Sequence, residues 1–119
     1  ILIDNGSLEL MGNITNTKEF LSSSSVFCFP SLWEGYPNAL VEALAMGLPV
    51  VLSSRLNNLR DFVEDEFNGK IVEDNKYLDT ILKMLKNKDQ LRSMSKKSYK
   101  KYKILKTSSS ISNWINLIF

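Results

Sequence analysis

Short apolar runs alternate with amphipathic stretches along this chain. Residues 8–11, Leu-Glu-Leu-Met, read as a first strand ended by Gly12-Asn13. Asn16 with Glu19 three positions on forms a capping box, which predicts a short helix through Phe20 and Leu21 that the serines at 22–25 end. Val26-Phe27-Cys28-Phe29 is a continuous apolar run stopped by Pro30, the pattern of a strand buried on both faces. After a loop at 31–36, Pro37 suits a first helical turn. Leu40, Val41, Leu44 and Ala45 then recur at helical spacing up to Gly47, a natural C-cap. Pro49 opens the strand Val50-Val51-Leu52. Leu59, Phe62 and Val63 predict a short helix, Asn68-Gly69 a turn and Ile71-Val72 a strand. Asp74 or Asn75 caps a helix with Leu78, Ile81, Leu82 and Leu85 at i, i+3, i+4 and i+7. A lysine-rich helix follows with Leu91, Met94 and Leu105 on one face, then a last helix with Ile111, Trp114, Ile115 and Ile118. Such alternation predicts an α/β fold built on a parallel sheet.

Length and composition narrow the class. The 119 residues fit one domain, and 44% hydrophobic with 24% charged residues is an ordinary globular balance, which excludes collagen, a disordered chain and a disulfide scaffold. No apolar run reaches the length of a membrane span, and no signal-like segment opens the chain. The absence of histidine removes His-activated nucleophiles, His metal sites and a His general base. Cys28, between two phenylalanines, reads as a buried reduced thiol, and with it a cytoplasmic location is expected. The net charge of +2 hides a division: residues 83–106 hold ten Lys or Arg against Asp89 alone, whereas the remainder holds five basic and twelve acidic side chains.

In open parallel sheets, ligands bind beyond the carboxyl ends of the strands, where loops run into helix N-termini. The stretch after the most apolar strand carries Glu34 and Gly35, and Glu42 follows one turn into the next helix. Carboxylates accept paired hydroxyls and helix N-termini attract phosphate, so the two acids and the free amides form a candidate site. By spacing alone, a surface glutamate beside a capping glutamate fits equally.

The residues carry more than their spacing. Pro30-Ser31-Leu32-Trp33-Glu34-Gly35-Tyr36-Pro37-Asn38, followed by Glu42-Ala43-Leu44-Ala45-Met46-Gly47-Leu48-Pro49-Val50-Val51, closely resembles the signature of retaining GT-B glycosyltransferases, in particular glycosyltransferase family 4. That signature sets two glutamates seven residues apart. Leu10-Met11-Gly12 upstream and Asn68-Gly69-Lys70-Ile71-Val72 downstream continue the likeness, which covers roughly residues 7–118. The resemblance implies a Rossmann-like parallel sheet with flanking helices, the truncated C-terminal half-domain of a GT-B fold. It implies transfer of a sugar from a UDP- or GDP-sugar donor with retention of configuration, without a metal or other cofactor. By the same resemblance Glu34 is the catalytic residue at the donor-sugar hydroxyls, by a same-face mechanism assisted by the leaving phosphate. Gly35 and Tyr36 line the sugar, Asn38, Ala39 and Leu40 hold the diphosphate through their amides, and Glu42 accepts the ribose hydroxyls.

Two departures stand out. Where the family has a Gly-Gly turn and an acidic residue, this chain has Asn57-Asn58 with Asp61 at the acidic position; asparagine tolerates the left-handed conformation such a turn uses. Further, the likeness reaches only the later part of the family's second domain. Residues 1–119 are thus expected to be a single, partial donor domain, inactive alone, whose partner is the missing N-terminal acceptor domain. The first donor-domain strands, which supply an Arg and a Lys to the diphosphate in the family, are not matched. Glu64-Asp65-Glu66 reads as a solvated turn. The basic helix at 88–106 reads as a solvated face or, in a different class of function, as a non-catalytic interaction module. Its partner would be an anionic membrane, at the inner face of which the protein would sit, or nucleic acid. The shortage of arginine and interleaved aromatics argues against nucleic acid.

Overall fold

The structure is a computed structural model that describes residues 4–30 and 37–107. Three parallel strands lie in the order β1-β2-β3, with β1 at Phe27–Phe29, β2 at Val50–Ser53 and β3 at Gly69–Val72. Phe27 registers with Val50, and Val50 in turn with Gly69. Helix α1 (Thr17–Ser22) precedes the sheet, α2 (Asn38–Ala45) links β1 to β2, and α3 (Tyr77–Lys86) and α4 (Lys88–Thr107) follow β3. The expected α/β class with a parallel sheet and flanking helices is therefore present.

Local signals explain most boundaries. Asn16 accepts the amide of Glu19 and so caps α1, while its side-chain amide donates to the Glu19 carboxylate at 2.7 Å, a side-chain pairing in place of the expected box's bond to the N-cap backbone amide. Helix α2 ends in a Schellman motif: Gly47 (φ +71°) donates to Leu44 O and Leu48 donates to Ala43 O, both at 3.0 Å. Asn87 closes α3 by donating to Met84 O and opens α4 by accepting the Gln90 amide at 3.1 Å.

The core lies between α2, the sheet and α4. Leu40, Val41 and Leu44 of α2 meet Val50 and Leu52 of β2, with Leu56, Leu59 and Val63 from the β2–β3 connection and Tyr102 and Leu105 of α4. On the other face of the sheet, Val51 packs with Met84 of α3 and Met94 of α4. Strand β2 is buried throughout, as a central parallel strand should be.

Four expectations need correction. Residues 8–11 form no strand: Leu8, Leu10 and Met11 are exposed, because no described strand offers them a ladder to join. Cys28 is exposed rather than buried, since among the described residues β1 pairs only with β2 and turns Phe27 and Phe29, both partly buried, to the core from its opposite face. Enough protein still surrounds the thiol for partial burial to raise its pKa above the ordinary 9.0. On α3 the side turned to the core is Tyr77, Ile81 and Met84, whereas Leu78 (71% exposed), Leu82 and Leu85 face outward. Periodicity marks an apolar stripe but not which edge of it meets the sheet. The segment around Leu59 is a 3-10 turn, Asn57–Leu59, without a left-handed residue, so the asparagine pair closes the turn without the conformation glycines would have supplied. The expected last helix at 111–118 and the loop at 31–36 lie outside the described residues.

Asn68-Gly69 does more than turn the chain. Asn68 is fully buried, donates to Phe62 O at 3.0 Å and accepts the Glu64 amide at 2.8 Å; its carbonyl accepts from Val50 N and from Ser98 Oγ of α4. A Cβ at Gly69 would lie 2.0 Å from the Val50 carbonyl oxygen. Asn68→Ala, which orphans two backbone groups, is expected to cost about 2–4 kcal/mol. Gly69→Ala, which must force β2 and β3 apart, should cost at least about 3 kcal/mol. Urea denaturation of both variants checks this, and stability within about 0.5 kcal/mol of the parent, the range of ordinary surface substitutions, would refute it.

Candidate functional site

Because the strands are parallel, the segments that follow them collect at one end of the sheet. Ser53 and Val72, register partners, end β2 and β3 there. Buried Ser53 donates to Asp74 Oδ1 at 3.1 Å and accepts the Arg55 amide at 3.3 Å. The Arg55 guanidinium pairs with Asp74 at 3.0 Å, and Arg60 donates to the Ser54 carbonyl at 3.3 Å. The Tyr77 hydroxyl, at the start of α3, donates to the Phe29 carbonyl at 3.2 Å, which ties the last residue of β1 to the cluster. Burial, first of all, raises the Tyr77 phenol above its ordinary 10.0; the negative forms of Cys28 and Asp74 act in the same direction and a Ser53 hydrogen bond opposes them.

Helix α2 begins at the same end. Pro37 is its N-cap and supplies no side-chain bond. Val41 donates to the Pro37 carbonyl, whereas the amides of Asn38, Ala39 and Leu40 precede the first intrahelical bond and have no acceptor within the helix. Eight residues of aligned peptides place partial positive charge there. Asn38 and Ala39 are exposed; Leu40 is wholly buried in the core, so only its backbone faces the helix end. Glu42 stands four residues on, about 6 Å along the axis and on the same side as Asn38. It is half-buried, and its carboxylate makes no hydrogen bond or ion pair among the described residues. Glu34, Gly35 and Tyr36 lie outside the described residues.

The acidic triplet at 64–66 is otherwise engaged. Glu64 pairs with Lys101 at 3.2 Å, Asp65 accepts the Ile71 amide at 2.7 Å and Glu66 pairs with Lys70. Among the described residues no group of three or more His, Cys, Asp or Glu side chains is arranged to hold a metal, and no helix is long and apolar enough to cross a membrane.

Reading from sequence missed Ser53, Asp74 and Tyr77 as a cluster. Tyr77 is 48 residues from Phe29, and Asp74 looked like a helix cap. The signal available was topological: in a parallel pair, residues just past adjacent strands must meet.

A three-stranded parallel α/β unit with an open helix N-terminus at the carboxyl end of the sheet is a Rossmann-like arrangement that many classes of enzyme share. The chain belongs to the family Glycosyl transferases group 1, which residues 5–101 match. It is 41% identical over 66 residues to the Escherichia coli UDP-Gal:alpha-D-GlcNAc-diphosphoundecaprenol alpha-1,3-galactosyltransferase, an alignment covering 56% of this chain and 17% of that protein. It is 33% identical over 85 residues to an uncharacterized glycosyltransferase of Haemophilus influenzae, covering 71% of this chain and 23% of that one. The fold matches sucrose-phosphate synthase from Thermosynechococcus elongatus with a TM-score of 0.69 at 24% identity, over 83% of this chain and 25% of that one. The chain thus spans a quarter or less of the length of each.

Tyr77→Phe should cost about 1 kcal/mol by removing the bond to the Phe29 carbonyl. Since the folded phenol titrates above 10.0, that contribution is whole below pH 10 and is lost only as pH rises through the folded value. The difference in melting temperature between parent and variant should therefore be constant from about pH 6 to about pH 9, as thermal melts across that range would check. A difference that vanished within this range would contradict the assignment.

Proposed function

We propose that this domain holds the nucleotide-sugar donor, a UDP- or GDP-sugar, in a transferase that retains the anomeric configuration. The observation that carries the reading is the first turn of α2, which has no side-chain cap, with half-buried Glu42, unpartnered among the described residues, one turn along. Amides of Asn38, Ala39 and Leu40 suit a diphosphate. The two oxygens of Glu42 suit the vicinal hydroxyls of a ribose. Supported by the sequence motif, Glu34 contacts the donor-sugar hydroxyls as the catalytic residue, and Gly35 and Tyr36 line the sugar. The E. coli relative acts on a diphosphoundecaprenol-linked sugar. By that likeness the acceptor here is a lipid-diphosphate-linked sugar, and the pathway class is polysaccharide assembly.

Charge defines what the domain needs from the rest of such an enzyme. A diphosphate brings about two negative charges to a helix end worth about half a positive one. Arg55 is held by Asp74 and Arg60 bonds the Ser54 carbonyl, so both are engaged elsewhere. We therefore assign the remaining neutralisation, and the acceptor contacts, to residues beyond those described, including an N-terminal acceptor domain.

In the full-length enzyme, Glu42→Ala should raise the donor KM about 10- to 100-fold with little change in kcat, because a ribose contact is equally present in ground and transition states. Steady-state kinetics decide, and a large fall in kcat at unchanged donor affinity would overturn the role. NMR of the product should show the donor's anomeric configuration; inversion would refute retention. Transfer should also persist in EDTA, since the acids of the 64–66 turn are committed to Lys101, Ile71 and Lys70. Loss of activity in EDTA with recovery on adding Mn²⁺ would disprove this.

A further inference from the structure

We propose that the outward face of α4 is a docking surface for an anionic lipid bilayer. This goes beyond the sugar-transfer reading and does not rest on it. Helix α4 has 20 residues, about 30 Å of rod. Its inner side is Met94, Ser98, Tyr102 and Leu105, all buried against the rest of the domain. Arg92, Lys96, Tyr99 and Lys103 follow one another at i, i+4, i+7 and i+11 along the opposite side, flanked by Lys88, Lys100 and Lys106, and all seven are exposed.

The pairing on this face is lopsided. Its one acid, Asp89, is taken by Arg92 at 2.6 Å. Lys97 and Lys101 turn to the domain instead, over the Phe67 ring at 5.1 and 5.7 Å, and Lys101 also meets Glu64. Lys88, Lys96, Lys100 and Lys106 have no acidic partner among the described residues, and Lys103 lies over Tyr99 at 5.2 Å. Like charges at Arg92–Lys96 and Lys96–Lys100 are i,i+4 pairs, which weaken a helix. A face selected only for solvation would alternate signs, as α3 does with Asp79 and Lys83 at 3.0 Å.

The form of the surface selects the partner. It is a row of exposed side chains along one helix, whereas a protein partner is anchored in a buried site. Five lysines to one arginine supply point charges, which suit a diffuse headgroup layer better than the fork geometry of base or phosphate reading. Tyr99 stands within the row and Ile104, 57% exposed, at its edge, and both are of the amphipathic or apolar kind that enters a bilayer boundary beneath a row of lysines. Lys103 lies over the Tyr99 ring at 5.2 Å and Tyr102 stacks with it, contacts that a stacked base would have to displace.

The test is co-sedimentation of the full chain with phosphatidylcholine vesicles, with and without about 30% phosphatidylglycerol, at about 0.1 M salt. Binding is expected only to the anionic vesicles and should disappear at about 0.5 M salt, where screening is short-ranged. Each lysine near the surface is expected to add about fivefold, so Lys96→Glu/Lys100→Glu/Lys103→Glu should weaken binding by about 100-fold or more. The neutral Lys96→Gln/Lys100→Gln/Lys103→Gln should give a smaller loss, and circular dichroism of both should match the parent. Lys18→Glu/Lys76→Glu/Lys83→Glu, with the same change in net charge off this face, should bind as the parent does. No binding to anionic vesicles, equal loss in the off-face variant, or parental binding by both α4 triples would overturn the proposal. So would tighter binding to a random-sequence RNA than to the vesicles at equal salt, which would assign the face to nucleic acid.

Discussion

The contact between Gly69 and the Val50 carbonyl is the constraint from which the placement of everything else follows. With no Cβ at position 69, β3 reaches β2, and the register Val50↔Gly69 is set. The neighbouring Asn68 carbonyl can then accept from both Val50 and Ser98, which lays α4 on the sheet. Once there, α4 touches the end of α2: a Cβ at Gly47 would meet Ser95 Oγ at 3.1 Å, and the left-handed turn at Gly47 lets the chain leave α2 toward β2. The C-terminus of α2 is thereby fixed, and with it the direction in which the N-terminus points. The candidate site is thus positioned from the far end of its own helix, by neutral contacts among Gly, Asn and Ser residues that take no part in it.

This explains what was legible in sequence. Signals that act within a few residues read well: the Asn16 cap, the Gly47 cap and the apolar β2 all stand where expected. The readings that failed depend on a neighbour. Residues 8–11 have strand character but no ladder among the described residues, Cys28 sits on the less covered face of β1, and the α3 stripe rotates so that Tyr77, Ile81 and Met84 meet the sheet. Asn68-Gly69 was visible only as a turn, because its partners Val50, Phe62 and Ser98 are remote or lie on other elements. The site shows the same division. Asn38, Ala39, Leu40 and Glu42 are one local motif, whereas Ser53, Asp74 and Tyr77 come together only through the parallel register.

The acids of the domain separate by what holds them. Glu64, Asp65, Glu66, Asp74, Asp79 and Asp89 each have a partner, an ion pair or a backbone amide, and so serve the fold. Glu42 has none among the described residues and, unlike the exposed Glu9, Asp61 and Glu73, is half-buried, a position where a carboxylate loses part of its hydration. What offsets that loss is its place near the positive end of α2, whose first-turn amides remain unmatched within the helix. The carboxylate and those amides are complementary in sign but too far apart along the axis to satisfy each other directly. A ligand that bears hydroxyl donors at one end and an anionic acceptor group at the other satisfies both at once. A nucleoside diphosphate has its ribose and its phosphates in that order, which is why the lack of a partner for Glu42 among the described residues, rather than its mere presence in the motif, supports the proposed donor-binding role.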